Sequence, residues 1–342
     1  MRVLITGGAG FIGSHLADSL LREGHEVAVI DNLSTGSAEN ISHLLSHPGF
    51  TFHRDTIFHL ELIASLISRC DIVYHLAAAV GVKRIIQAPV ETIETNVAGS
   101  ELVLRLAARH ARRIVLASTS EVYGKSTQLP FLEDGDLVLG ATSHSRWSYA
   151  CSKAIDEFLA LAWHRQSGLP VTIVRLFNTV GTRQSSRYGM VLPTFAGQAL
   201  LGQPITVFGS GRQSRCFTHV ADIVEALIAI AHHDATIGEI YNLGSTSEIT
   251  IHQLAQRVLE ATGSRSPIVH VPYEQAYAPG FEDMQRRLPS IAKAHAAFGF
   301  QPRRNLHQVL AEVIADLRAR IEHNGCAELA AESLAVDSTV DR

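Results

Sequence analysis

The feature that most narrows what this chain can fold into is a glycine-rich turn, Thr6-Gly7-Gly8-Ala9-Gly10-Phe11-Ile12-Gly13. It stands between a short apolar run, Val3-Leu4-Ile5, and a segment of helical periodicity running from Ile12 to Glu23. Glycines at 7, 10 and 13 let the chain bend tightly and let backbone N–H groups at a helix N-terminus approach a pyrophosphate with no Cβ in the way. A glycine triplet alone is weak evidence. Here it sits in the strand–turn–helix context that dinucleotide binding requires, and the next strand ends at Ile30-Asp31, near the spacing at which an acidic residue meets an adenosine ribose. The Asp31 carboxylate can accept hydrogen bonds from both ribose hydroxyls and would repel a 2′-phosphate, so the pattern favours NAD over NADP. The expected cofactor contacts are Gly7, Gly10, Phe11, Ile12 and Gly13 in the turn, with Asp31 and Asn32 after the second strand. Asp55 follows the third strand and is expected at the adenine edge, and Leu76 and Ala77 close the fourth strand where small residues let a cofactor pass.

Further short apolar runs recur at Val27–Ile30, Thr51–His53, Ile72–Tyr74, Ile114–Leu116 and Val171–Val174, with helical patterns over Val90–Arg109 and Trp147–Gln166. Strands without polar alternation are buried on both faces, which predicts an α/β protein with a doubly wound parallel sheet of the Rossmann type. After about residue 178 the rhythm becomes irregular, which predicts a second, smaller α/β substrate domain over 179–322 beside the NAD-binding domain of 1–178. Amphipathic patterns over Ala221–Ala231 and Ile249–Leu259 read as helices. The run Glu239–Asn242 reads as a strand, so a segment near 220–243 is expected to return to the first sheet. Residues 323–342 read as a loose tail.

Tyr149 and Lys153 lie four apart in a helical segment, so both side chains share one face. An ammonium one turn away stabilises a phenolate, which makes Tyr149 a candidate general base for a sugar hydroxyl. The fifth strand runs into Ser118-Thr119-Ser120-Glu121-Val122-Tyr123-Gly124, and ligands of open parallel sheets bind at the carboxyl ends of strands. Thr119 can share the reacting proton, Ser120 is a candidate substrate contact, and Glu121 is read as a proton-transfer group ahead of a plain hydroxyl anchor.

Composition excludes other classes. The 29 basic and 33 acidic residues give net −4 with no basic run, so neither nucleic acid nor a lipid surface is an expected partner. No stretch approaches the roughly 18 apolar residues of a membrane helix, no signal-peptide layout is present, and four separated cysteines show no C-x-x-C pair. A cytoplasmic protein with reduced thiols is expected. The 18 histidines show no metal-ligand spacing, so no metal is expected.

Together these motifs resemble the extended short-chain dehydrogenases/reductases, the NAD-dependent epimerase/dehydratase family, over about residues 1–318. The resemblance implies that Gly7, Gly10, Gly13, Asp31 and Asp55 hold NAD, and that Thr119, Tyr149 and Lys153 are the active-site hydroxyl, base and lysine. It further implies that Asn96 steadies the central helix. Asn178 in Arg175-Leu176-Phe177-Asn178 would meet a nucleotide-sugar, Arg215 its diphosphate, and Arg287 would be a second arginine of that pocket. A homodimer through Val90–Arg109 and Trp147–Gln166 is expected on the same ground. Within the family, Thr119–Gly124, Arg146–Lys153 and the stretches Gly280–Asp283 and Pro289-Ser290 are similar to UDP-glucuronate decarboxylases and UDP-apiose/xylose synthase. Ala77–Arg84 is more similar to epimerases and dehydratases, and Thr182 stands where the family has proline.

All family reactions start by making a 4-ketone of the sugar. Decarboxylation and dehydration need a group at C5 and 4-epimerisation does not, so Glu121 ranks decarboxylation of UDP-glucuronate first. A UDP-sugar 4-epimerase (on UDP-glucose or UDP-glucuronate) comes second, and a nucleotide-sugar 4,6-dehydratase third. A non-catalytic dinucleotide sensor is the reading of a different class, disfavoured because Tyr149 and Lys153 are both kept.

Overall fold

The computed structural model of the chain describes residues 1–81, 88–186, 189–276 and 282–324. The apolar runs become parallel strands β1 (Arg2–Thr6), β2 (Glu26–Ile30), β3 (Phe50–His53), β4 (Ile72–His75), β5 (Arg113–Thr119) and β6 (Val171–Leu176), and β11 (Ile240–Leu243) joins them beside β6. Their order is β11-β6-β5-β4-β1-β2-β3, every neighbour parallel. Successive strand residues point to opposite faces. Val3, Ile5 and Tyr74 enter a core with α1 (Phe11–Arg22) and α6 (Val220–Ala231). Leu4 and Val73 enter another with α2 (Leu60–Arg69), α3 (Pro89–Arg109) and α4 (Ser148–Ser167). This is the doubly wound α/β sheet expected from the strands, which lack alternation because neither face meets water.

The smaller lobe packs α5 (Val191–Leu200), α7 (Ile251–Thr262) and α9 (Leu306–Asn324) around Leu192, Phe195, Leu254, Val258 and Val313. Short strand pairs edge it. β8 (Ile205–Phe208) pairs with β13 (Ile268–Val271), β9 (Ser214–Cys216) with β12 (Glu248–Thr250), and β7 (Thr179–Val180) with β10 (Thr218–His219). Helix α7 starts two residues later than its periodicity suggests, because Thr250 and Gln253 cap each other's backbone. A further helix, α8 (Ala292–Phe298), reaches back to the first lobe and puts Ala294 in its core, which periodicity does not reveal. The expected tail is corrected at its start, since His323 and Asn324 belong to α9; residues 325–342 lie outside the described ones.

Helices α3 and α4 meet along small and polar residues. Asn96 Nδ2 donates to Ser152 Oγ at 3.1 Å and Ser100 Oγ to Asp156 Oδ2 at 2.8 Å. Asn96 also bonds the backbone of Ala79, N–H to Oδ1 at 2.9 Å, so it ties the loop after β4 to both helices. On the sheet side of α4, Arg175 of β6 grips Glu157 through Nε and Nη2, the latter at 2.7 Å, while its Nη1 donates to the Tyr123 hydroxyl at 2.9 Å. Both side chains of this pair are at least 95% buried. Removing one partner of such a pair strands the other charge in the interior. Glu157→Gln is therefore expected to cost about 3–5 kcal/mol of folding stability, read by urea denaturation; a loss below about 1 kcal/mol would show the pair to be replaceable.

Candidate active site

The chain order reverses between β1 and β4, so their carboxyl ends part and open a crevice. A cleft of about 1090 Å³ lies there and extends across β5 and β6 into the smaller lobe. Every site residue singled out in the sequence lines it, from Gly7 and Asp31 at one end to Arg215 and Arg287 at the other.

The cofactor end is shaped by backbone. Gly7 sits at φ +73, and a Cβ there would stand 2.8 Å from the Ala77 amide nitrogen. A Cβ on Gly13 would run into the Gly7 carbonyl. Gly10 caps α1 without a side chain over the helix end, so the first-turn N–H groups face the cleft with the helix dipole behind them. This cradle fits a pyrophosphate. Asp31 accepts from the Ala9 N–H at 3.0 Å and the Leu33 N–H at 2.8 Å, and burial pushes its carboxyl up against those two bonds. Asn32 Oδ1 accepts from Ser34 N–H at 3.0 Å. Asp55 is more open, bonded to His59 at 2.6 Å and held below the usual carboxylate range chiefly by that contact. Leu76 and Ala77 run past Thr6, whose Oγ1 accepts from the Ala77 N–H at 3.3 Å. Phe11 and Ile12 form the adjoining wall.

At the centre, Thr119 is hydrogen-bonded to Tyr149, and its Oγ1 accepts from the Glu121 N–H at 3.2 Å. The protein's own groups push the Tyr149 phenol up, burial first and the Glu121 charge next, with Thr119 acting the other way. The Nζ of Lys153 donates to Asp156 Oδ2 at 2.7 Å, so the ammonium expected to stabilise a phenolate is itself paired with a carboxylate.

At the far end, three arginines and two carboxylates interlock. Glu121 is paired to Arg146 and, at 3.0 Å, to Arg287 Nη2; Asp283 Oδ2 accepts from Arg215 at 2.7 Å, and its Oδ1 lies 3.5 Å from Arg287. The Nε of Arg287 is buried with no partner in the protein. Burial opposes the Glu121 charge, but Arg146 and Arg287 more than offset it and hold the carboxyl at about 2. Near neutrality Glu121 is therefore an anion, set to accept a proton and not to give one, and it holds Arg146 and Arg287 in place. Arg215 is pushed down to about 10, by burial and then by Arg287 beside it. Ser120 and Asn178 line the same wall, and the Asn178 carbonyl accepts from the Thr218 N–H at 2.9 Å.

Sequence reasoning quoted Arg146 and Asp283 within motifs and assigned neither a role. Arg146 stands three residues before Tyr149, a spacing that could have signalled a shared face; the approach of Asp283 to three arginines is long-range and had no signal. Val82, Lys83, Arg84, Gly280 and Phe281, which entered the resemblance, lie outside the described residues. Among the described residues, metal-capable atoms of Glu23, His25 and His232 come within 4.8 Å of one another, at the opposite end of β2 from the cleft. Cys70, Cys151 and Cys216 are free thiols. No helix among the described residues is long and apolar enough to cross a membrane.

A family model described as GDP-mannose 4,6 dehydratase matches residues 4–313. The chain is 44% identical over 314 residues to a UDP-N-acetyl-alpha-D-glucosaminuronate decarboxylase of Bacillus cytotoxicus, covering 92% of this chain and 96% of that protein. It is 38% identical to UDP-glucuronic acid decarboxylase 1 of Danio rerio, over 94% of this chain and 74% of the relative. Among solved structures, a UDP-glucuronic acid 4-epimerase from Bacillus cereus in complex with UDP-glucuronic acid and NAD superposes with a TM-score of 0.84 at 27% identity, covering 93% of this chain and 99% of that one.

The Glu121 cluster makes acid sensitivity predictable. Its folded pKa of about 2 lies below the ordinary 4.5, so the stability it contributes is complete above about pH 4.5 and is lost as pH falls through about 2. Denaturation curves of wild type and Glu121→Gln are expected to differ most at neutral pH and to converge across that window. A gap that does not change with pH would place no such load on the carboxylate.

Proposed function

The chain belongs to the GDP-mannose 4,6-dehydratase family of extended short-chain dehydrogenases/reductases, and we propose that it is an NAD-dependent decarboxylase of a UDP-linked uronic acid, with UDP-glucuronate as first substrate. The observation that carries this reading is the arginine cluster at the end of the cleft away from the glycine turn, which sets Arg146 and Arg287 beside Glu121 for a sugar carboxylate and leaves Arg215 for the diphosphate. A uronate brings a carboxylate there, where a neutral hexose would not, and a guanidinium fork meets a carboxylate or a phosphate in two parallel bonds. A second reading has its own support: the Bacillus cytotoxicus relative, at 44% identity, is named for a C2-acetamido uronate, so UDP-N-acetylglucosaminuronate is the alternative substrate.

In this mechanism Tyr149 takes the proton of the sugar C4 hydroxyl and Thr119 shares it. NAD, when bound by Gly7, Gly10, Gly13 and Asp31, supplies hydride acceptance at C4 and its return. Once C4 is a ketone, the C6 carboxylate is a β-keto acid and loses CO2. Arg287 and Arg146 hold that carboxylate, while Glu121 fixes the arginines and orients a water beside C5, which then takes up a proton. Tyr149 returns its proton when C4 is re-reduced, so the cofactor is recycled within each turnover. Asn178 and Arg215 hold the nucleotide diphosphate. Free thiols support a cytoplasmic setting. A second copy of the chain is the proposed partner, through the apolar side chains that α3 and α4 leave at the surface: Val90, Ile93, Ile155 and Phe158.

Turnover in D2O separates the reactions. Decarboxylation is expected to leave deuterium at C5 and release CO2 from UDP-glucuronate or its 2-acetamido analogue, read by NMR. Conversion to the C4 epimer without C5 label would replace the decarboxylase reading with an epimerase. The assembly has its own test: Phe158, 67% exposed, is expected on changing to Asp to shift the protein from dimer to monomer in sedimentation. A wild-type protein that already sediments as a monomer would remove the interface.

A further inference from the structure

Asp156 is fully buried, and the reaction as derived above gives it no task. It lies on α4 three residues beyond Lys153 and seven beyond Tyr149, so the three side chains follow one face of the helix. Its Oδ2 accepts from Lys153 Nζ at 2.7 Å and from Ser100 Oγ at 2.8 Å; its Oδ1 is buried with no partner in the protein. The chain of contacts continues inward. Ser100 Oγ lies 3.3 Å from His75 Nε2, and His75 Nδ1 lies 2.7 Å from Thr6 Oγ1. Because Ser100 spends its hydrogen on Asp156, His75 must donate from Nε2 and accept from the Thr6 hydroxyl at Nδ1. Burial, with Lys153 adding to it, holds this imidazole near 3, so it stays neutral and the tautomer is set. Thr6 in turn accepts from the Ala77 N–H. Every donor from the cofactor turn to Ser100 thus points toward one carboxylate; burial pushes that carboxyl up, and Lys153 and Ser100 act the other way.

We propose that Asp156 is a positioning residue: it fixes the Lys153 ammonium on the α3 side of α4 and offsets its charge, and so governs how readily Tyr149 gives up its proton. This rests on the reading of Tyr149 and Lys153 as base and lysine. A lone ammonium one turn from a phenol favours phenolate with its full charge. An ammonium paired at 2.7 Å in the interior acts as a dipole, whose pull falls off more steeply with distance. The other charges facing Tyr149 are Glu121, which disfavours phenolate, and Arg146, which favours it; Glu157 on α4 is taken up by Arg175, and His75 is neutral. Asp156 itself acts on Tyr149 in the same direction as Glu121. The offset suits an enzyme whose tyrosine must take a proton at C4 and later give it back, since a phenol made too acidic does the first step and fails the second.

The test is the pH dependence of kcat in the holoenzyme, with UDP-glucuronate or UDP-N-acetylglucosaminuronate, for wild type, Asp156→Asn and Asp156→Ser. Asparagine keeps the shape and still accepts from Lys153 and Ser100 but carries no charge. The acid-side midpoint is expected to move down by about half a unit to one unit in both variants. A midpoint unchanged to within about 0.2 unit, with kcat or thermal stability reduced, would make Asp156 a helix-packing residue and overturn the proposal. Failure of both variants to fold would do the same. Tyr149→Phe serves as the separate control: if it stays active the base reading itself fails, whereas an inactive Tyr149→Phe beside an unmoved Asp156→Asn midpoint rejects only the role of Asp156.

Discussion

The active site depends on a polar seam buried beneath α4. An apolar helix face can slide or rotate on a sheet at small cost, because burial has no direction. The α4 contacts have direction. Glu157 is gripped by Arg175 on the sheet side, and Ser152 and Asp156 are bonded to Asn96 and Ser100 on the α3 side. A shift of the helix by one residue would strand several of these groups at once, each in a place where water cannot replace the lost partner. Tyr149 and Lys153 are carried on the same helix, so the seam determines where these two side chains stand relative to the strand ends.

Around that fixed helix the cleft joins two kinds of recognition. At the glycine turn the protein offers backbone N–H groups and a helix dipole, which need close approach and no side chains. At the far end it offers guanidinium groups already engaged with Glu121 and Asp283. Those carboxylates hold the arginines in place, so a substrate carboxylate or phosphate meets preoriented donors instead of ordering flexible chains on arrival. The cost is that binding must compete with internal ion pairs, which favours substrates carrying negative charge at the sugar as well as at the diphosphate.

The family shares its opening chemistry across decarboxylases, epimerases and dehydratases, and the fold therefore says little about which reaction follows the 4-ketone. The relatives named above span decarboxylation and epimerisation of uronates. What distinguishes the outcomes physically is the charge and placement of groups near C5 and C6, and the charged groups proposed for that place come from three separate parts of the chain: the end of β5, the turn before α4, and the smaller lobe near residue 283.

Much of this was legible in the linear chain because it is encoded locally. Strand runs without alternation specified a sheet buried on both faces; the glycine spacing specified a dinucleotide turn; the four-residue step from Tyr149 to Lys153 put both on one helical face whatever surrounded them. The sequence by itself thus determined the fold class, the cofactor turn and the helix that carries Tyr149 and Lys153. Only the tertiary structure decided the electrical state of the site. The partnership of Lys153 with Asp156 was within local reach, since three residues separate them, but whether lysine turns toward Tyr149 or toward Asp156 depends on Ser100 and His75 arriving from other elements. The place of Glu121 between Arg146 and Arg287 was likewise set only by folding. Charge acts through space and not along the chain, so the pKa of a buried group belongs to the neighbours that folding assembles.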